Sequence, residues 1–197
     1  MGQYYSAVLK NEKGNMRSYY DYGLKLMEHS YFMNKYVNTI CNKILNKPHN
    51  VAWVGDYAYS EEQWKNEFTE FDRLHKAYHQ TKHTNKNFME HLLINHTKKQ
   101  VLDLTDYYNK AIINYHDEGR DDSWVIHPLP LLTAMGNGLG GGDYRGSKAI
   151  NQNDVGIWAG DLLEIKPYDE DYKYNHDTKS WQYKDYTSVM FLFEEGY

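Results

Sequence analysis

A dense cluster of glycines at residues 136–146 constrains this 197-residue chain more than any other feature of its sequence. The segment reads GNGLGGGDYRG and holds six of the chain's 14 glycines. Glycine loses more backbone entropy on ordering than other residues do, so this density needs a reason, such as positive φ or close approach of a ligand to the main chain. The stiff apolar segment HPLPLLTAM directly precedes it. We therefore predict the functional site in this glycine segment (residues 136–146).

The glycine segment carries the groups that recognition of an anion or a partner needs. Successive backbone amides of a glycine-rich turn can bind phosphate or carboxylate, Arg145 can add a charge-assisted contact, and Tyr144 can stack on a base. The segment is not GxxxxGK[ST], and its GxGxxG spacing does not follow a predicted strand, so it fits no known phosphate-binding motif and structural packing of an irregular loop remains an equal alternative. The predicted binding residues of the segment are Gly136, Asn137, Gly138, Gly140, Gly141, Gly142, Asp143, Tyr144 and Arg145.

The pattern W-x-G-D occurs twice, at 53–56 and at 158–161, and a third Gly-Asp pair ends in Asp143. One interpretation is that these turns converge, so that Asp56, Asp143 and Asp161 lie beside the indoles of Trp53 and Trp158, which form supporting walls. The alternative is that strand-ending turns reuse Gly-Asp because both residues tolerate turn geometry.

Few residues indicate catalysis. His127 lies next to the glycine segment, and Asp143 or Asp161 would complete an acid–base pair in a small hydrolase acting on a nucleotide or ADP-ribose-type substrate. His75 and His79 have the i, i+4 spacing of a metal pair, but a solvated helix face explains them better. No serine nucleophile motif is present, and no cofactor is predicted. Binding is therefore favoured over catalysis.

Composition narrows the class of partner. The net charge of −5 argues against broad nucleic-acid binding, which needs a clustered basic face. A single cysteine, Cys41, excludes an internal disulfide and indicates a reducing compartment. No apolar run approaches the roughly 18 residues of a membrane span, and no signal peptide is recognisable, so we expect a cytoplasmic protein. The 20 tyrosines favour a surface that contacts something.

Periodicity and turn residues predict an α+β class: a single domain over 1–197, with a mainly antiparallel sheet and two to three helices packed on it. The expected helices begin at Ser30, at a capping box starting at Ser60, and near Thr105. The expected strands are two hairpins at 4–20 and 91–104, single strands at 51–54, 155–165 and 189–193, and a pairing of 173–174 with 181–183.

Four segments together, MGQYY, LKLMEHS, VAWVGDYA and HPLPLLTAMGNGLGGGDYRG, resemble a family of small uncharacterised proteins of Firmicutes and their phages and mobile elements. The glycine segment alone is also distantly similar to the ADP-ribose-binding loop of macrodomains, but the alternating βα context of that fold is absent. The first resemblance carries no catalytic residues. It implies a counter-defence protein in the host cytoplasm, with either a host protein or a nucleotide-like anion as the partner. Separately from the resemblance, a homo-oligomer is an open alternative for this chain.

Overall fold

A computed structural model of the chain describes residues 2–21, 23–75, 82–117, 125–136, 143–144, 152–169, 174–175, 180–181, 183–185 and 187. The described strands are β1 (Tyr5–Lys10), β2 (Met16–Tyr19), β3 (His49–Gly55), β4 (His91–Asn95), β5 (Gln100–Asp103), β6 (Ala134–Met135), β7 (Leu162–Pro167), β8 (Tyr174–Asn175), β9 (Ser180–Trp181) and β10 (Lys184–Asp185). The described helices are α1 (Leu26–His29), α2 (Lys35–Lys43), α3 (Glu67–His75), α4 (Leu104–Asp117) and α5 (Pro128–Leu132). None of these helices is long and apolar enough to cross a membrane.

One mixed sheet organises most of these strands. Its order is β10-β5-β4-β7-β3-β1-β2, with β6 pairing to β3 beside this path, while β8 and β9 form a separate pair. The pairs β3–β6 and β5–β10 are parallel and the other described pairs are antiparallel. The predicted α+β class with a mainly antiparallel sheet is therefore confirmed.

The edge of β3 that faces away from β1 is shared by two strands. The first half pairs with β7, through His49 and Asn50. The second half pairs in parallel with β6, through Trp53 opposite Ala134 and Val54 opposite Met135. Because β6 and β3 run in the same direction, the residues that follow them emerge at the same end of the sheet.

The main core lies on the face of the sheet that α2, α4 and α5 cover. Strand residues of β1 and β3 alternate between the two faces, as the period of two requires, so Ala7, Leu9, Val51 and Trp53 share this side. The helices supply the buried residues Tyr36, Val37, Ile40, Cys41, Leu104, Tyr107, Leu129, Leu131 and Leu132. Full burial of a large apolar side chain stabilises by about 1.5–3 kcal/mol, so this face dominates the stability of the fold.

The opposite face carries α3 and a smaller core. Val8, Ala52 and Val54 pack there with Phe68 of α3 and with Ala58, which lies in the short 3₁₀ turn Ala58–Ser60. Further along the sheet, Tyr183 packs against the other-face residues of β4 and β5.

Several predicted elements are confirmed, including both hairpins, the strand at 51–54 and the helix near Thr105. The predicted pairing of 173–174 with 181–183 is shifted: Tyr174 pairs with Trp181 and Asn175 with Ser180, while Lys173 and Gln182 lie outside the described residues. The predicted strand at 189–193 lies outside the described residues.

Three predicted boundaries are wrong, for local reasons. Helix α2 begins later than expected because Asn34, not Ser30, caps it, accepting from the amides of Tyr36 at 2.8 Å and Val37 at 3.2 Å. The residues after Ser60 form the 3₁₀ turn Glu62–Trp64, and α3 is capped instead by Asn66, which accepts from the amide of Phe68 at 2.9 Å.

The third concerns the strand expected from residue 155. Turns occupy 152–160, and the strand begins only at Leu162. Gly156 and Gly160 have φ of 77° and 81°, outside the range of extended strand, so 152–160 turn and the regular strand begins only after them.

Candidate functional site

The glycine segment begins at the same end of the sheet as the first W-x-G-D turn. Gly136 follows β6 directly, and Asp56 follows β3 directly. The glycine segment is also tied to the 3₁₀ turn Glu62–Trp64, because the indole Nε1 of Trp64 donates to the carbonyl of Gly136 at 2.9 Å. Ligands of open sheets commonly bind beyond the carboxyl ends of parallel strands. Asp56 and Gly136 lie at the carboxyl ends of the parallel strands β3 and β6.

Two described residues of the glycine segment, Gly136 and Asp143, lie against the side chain of Tyr5. The Tyr5 hydroxyl contacts the carboxylate of Asp143 and lies 3.0 Å from Oε1 of Gln3. A Cβ built on Gly136 would lie 1.9 Å from the Tyr5 hydroxyl and 2.8 Å from Oδ2 of Asp143. Only glycine leaves room for these contacts, so the glycine at position 136 has a steric cause.

Tyr144 points into the protein. Its side chain is 2% exposed, and its hydroxyl is hydrogen-bonded to Oγ of Ser30. Nε2 of Gln152 donates to its carbonyl at 2.9 Å. The ring of Tyr144 is therefore positioned to anchor the glycine segment rather than to stack on a base at the surface. Asn137, Gly138, Gly140, Gly141, Gly142 and Arg145 lie outside the described residues.

The two indoles of the W-x-G-D turns are interior groups. Trp53 donates from Nε1 to Nε2 of His29 at 2.8 Å, and Trp158 donates from Nε1 to Oε1 of Gln100 at 2.8 Å. Burial lowers the pKa of His29 to about 4, against a smaller opposing effect of the Lys25 backbone. The imidazole is thus neutral near pH 7, as an acceptor for Trp53 must be. Both indoles support the sheet from within instead of lining a surface.

The three aspartates do not converge, so that interpretation is wrong. Asp56 follows the end of β3, whereas the carbonyl of Asp161 accepts from the amide of Val51 near the start of the same strand, at 3.1 Å. Five residues of strand separate these levels, about 16 Å. Asp143 lies with Tyr5 at the Asp56 end. The short pairing of β3 with β7 places the second turn far from the first.

Asp161 is held in a polar cluster of its own. Its Oδ2 accepts from Nδ2 of Asn95 at 2.8 Å and is paired with Nζ of Lys98. The same lysine donates to the carbonyl of Ile157 at 2.8 Å. This carboxylate therefore fastens the turn before β7 to the β4–β5 hairpin.

His127 has a structural role. Its Nδ1 accepts from the amide of Leu129 at 3.1 Å, which caps α5, and its Nε2 lies 3.7 Å from Sγ of Cys41. Burial lowers its pKa to about 3. Among the described residues no carboxylate reaches either ring nitrogen, so His127, Asp143 and Asp161 are not brought together as an acid–base set.

The histidines of α3 offer no site in the described part of the chain. His75 is exposed, and its ring stacks on Phe71 with centroids 4.4 Å apart. His79 lies outside the described residues. Within those residues no group of three potential ligands could hold a metal ion.

A cluster of exposed tyrosines at the Asp56 end escaped the sequence-based prediction. Tyr4, Tyr57 and Tyr59 are 42%, 37% and 45% exposed. The backbone amide of Tyr4 donates to Oδ1 of Asp56 at 3.1 Å, and the amide of Asp56 returns a bond to the carbonyl of Tyr4 at 2.9 Å. The amide of Glu61 bonds to Ala58 at 3.1 Å and closes the turn.

We call this region the tyrosine surface, defined by Tyr4, Asp56, Tyr57, Tyr59 and Glu61. The high tyrosine content of the chain was the one signal for it in the sequence. Which of the tyrosines are exposed depends on the pairing of β1 with β3.

No protein-family model, curated protein or solved structure matches this chain.

Proposed function

We propose that this chain is a non-enzymatic binding protein that contacts a partner protein through the tyrosine surface and the adjoining glycine segment. One observation carries the proposal: the parallel pair β3–β6, with β1 antiparallel to β3, brings three exposed tyrosines and the start of the glycine segment to one end of the sheet. Tyrosine combines a large apolar face with a polar tip, and it is enriched at the centres of protein interfaces.

The framework beneath this surface is fixed, which favours recognition. Asp143 and Tyr144 are buried and hydrogen-bonded to Tyr5 and Ser30, and the carbonyl of Gly136 accepts from Trp64, so the described residues of the glycine segment are anchored. A surface held by its core loses little conformational entropy on binding, and such preorganisation raises affinity. The resemblance to phage and mobile-element proteins adds the proposal that the partner is a host protein and that binding counters a defence.

Catalysis has less support. A general base must be within reach of the proton it removes, and it must titrate near the working pH. His127 is buried, caps a helix and has a pKa of about 3, so it does not meet either condition.

The test is capture of a partner from a lysate of the host, by the full chain and by matched variants. The double variant Tyr57→Ala, Tyr59→Ala should lose the partner. Tyr168→Ala should keep it, because Tyr168 is 46% exposed but follows β7, which runs away from the tyrosine surface. Mass spectrometry of the denatured complex would identify protein and small molecules together.

Three outcomes of this test would contradict the proposal. They are equal capture by the wild-type chain and the double variant, loss of the partner in Tyr168→Ala alone, and recovery of a nucleotide with no protein. A turnover product of an added nucleotide would point to the hydrolase instead.

A further inference from the structure

The described positive charges that border the tyrosine surface are already paired with carboxylates of their own segments. Nζ of Lys25 lies 3.8 Å from Oε1 of Glu28, and Lys65 is paired with Glu62. The guanidinium of Arg73 lies 2.5 Å from Oε1 of Glu70. These cations are therefore neutralised locally.

The two carboxylates of the tyrosine surface have no such partner. Among the described residues, no lysine, arginine or histidine nitrogen lies within 4.0 Å of Asp56 or Glu61, and both side chains are partly exposed. Within the described part of the chain, this surface therefore presents two carboxylates without a paired cation beside three exposed tyrosines.

The chain itself provides an example of a cation on this surface. The guanidinium carbon of Arg73 lies over the ring of Tyr59, 5.9 Å from its centroid. Aromatic faces attract guanidinium through their quadrupole, and arginine does so more often than lysine because its planar group also stacks. Tyr4 and Tyr57 also expose aromatic surface. Asp56 adjoins both residues, because it directly precedes Tyr57 and its Oδ1 accepts from the backbone amide of Tyr4.

We infer that the tyrosine surface binds an arginine-bearing segment of a protein, with guanidinium groups lying on the tyrosine rings and paired with Asp56 and Glu61. The inference rests on the proposed function, because it names the chemistry of the partner at the same surface. Complementary charge sets specificity and association rate, and like charge excludes the wrong partner. The same two carboxylates disfavour a nucleotide-like anion here.

The experiment is an NMR titration of the full, isotope-labelled chain with a short peptide of alternating arginine and serine. The expected result is saturable shifts of the amides of Tyr4, Tyr57 and Tyr59. The same peptide with citrulline in place of arginine, which is nearly isosteric and uncharged, should cause none. ADP-ribose should also leave these amides unchanged.

Two double variants of equal net charge test whether peptide binding depends on the carboxylates of the tyrosine surface or only on the net charge of the chain. The double variant Asp56→Asn, Glu61→Gln should weaken peptide binding by about fivefold, as the loss of two exposed charge pairs implies. Glu12→Gln, Glu90→Gln removes two exposed carboxylates elsewhere and should leave the affinity unchanged. Both variants alter exposed side chains, and a thermal melt of each checks that the fold persists.

The inference is overturned if the citrulline peptide binds as well, if the two double variants weaken binding equally, if the arginine peptide leaves the tyrosine amides unmoved, or if ADP-ribose shifts them. Failure of the proposed function gives a different pattern. A captured partner that is lost with Tyr57→Ala, Tyr59→Ala but bound with unchanged affinity by Asp56→Asn, Glu61→Gln leaves the binding surface intact and refutes only its cationic partner. A partner bound with equal affinity by all variants refutes both.

Discussion

The two W-x-G-D turns share a sequence pattern but lie at different levels of β3 and in different surroundings. In the first turn, the indole of Trp53 donates a hydrogen bond to His29, and Asp56 lies beside exposed tyrosines. In the second turn, the indole of Trp158 donates to the side-chain amide of Gln100, and Asp161 is paired with Lys98. The comparison teaches that a motif fixes a turn, whereas the sheet around it decides whether that turn is tied into the fold or lies beside exposed side chains.

Acid should affect the first turn more than the second, because only the first depends on a neutral imidazole. The pKa of His29 is about 4 when folded and near 6.5 when unfolded, so its contribution is present above pH 6.5 and is lost as pH falls from 6.5 to 4. The slope is about 1.4 kcal/mol per pH unit, or about 3 kcal/mol in total. His127, with a pKa of about 3, adds a similar loss.

Urea unfolding between pH 7 and pH 4.5 measures this loss, with the Trp fluorescence as the readout. His29→Gln keeps an acceptor for Trp53 and removes the titration, so its stability should fall about half as steeply with pH. Equal slopes in the variant and the wild type would show that His29 does not titrate in this way.

Gly136→Ala should cost about 3 kcal/mol, because the new methyl group collides with the Tyr5 hydroxyl and separates it from Asp143. Gly14→Ala provides the comparison. Gly14 has φ of 80° and open space around its Cβ position, so only backbone strain opposes alanine there, about 1 kcal/mol. Urea midpoints rank the two variants, and an equal cost would refute the steric role of Gly136.

Neutralising the two turn aspartates should separate stability from binding. Asp161→Asn weakens the contacts with Asn95 and Lys98 and should lower the free energy of unfolding by about 1 kcal/mol. Asp56→Asn keeps an oxygen for the amide of Tyr4 and should cost less than about 0.5 kcal/mol. Thermal melts of both variants test whether Asp161→Asn loses more stability than Asp56→Asn. A larger loss of stability in Asp56→Asn would contradict the prediction.

The smallest expected change in stability belongs to the exposed tyrosines. Tyr57→Ala and Tyr59→Ala should each alter the free energy of unfolding by no more than about 0.5 kcal/mol, because neither ring is buried. Chemical unfolding of both checks it. A loss of several kcal/mol would mean that these rings hold the turn together and are not reserved for a partner.

Local sequence signals predicted the strands and hairpins because they depend on alternation and turn residues close in the chain. They missed α5, although proline at its first position favours a helix. Its N-cap is His127, whose side chain accepts from the amide of Leu129. They missed β6 as well, a two-residue strand that exists only because β3 leaves half an edge open.

The site was partly predictable. The glycine segment and the Gly-Asp turns were visible as patterns, and Gly136 and Asp143 do lie together beside Tyr5. The position of Asp161 was not predictable, because it follows from the two-residue pairing of β3 with β7. Exposure of Tyr4 and Tyr57 likewise follows from strand register, which one sequence does not reveal.

Photo-cross-linking at the tyrosine surface tests the binding account most directly. A benzoylphenylalanine placed at position 57 should cross-link the proposed protein partner in the proposed host, and the same residue at position 168 should not. Cross-linking at 168 but not at 57, or equal cross-linking at both, would contradict the account.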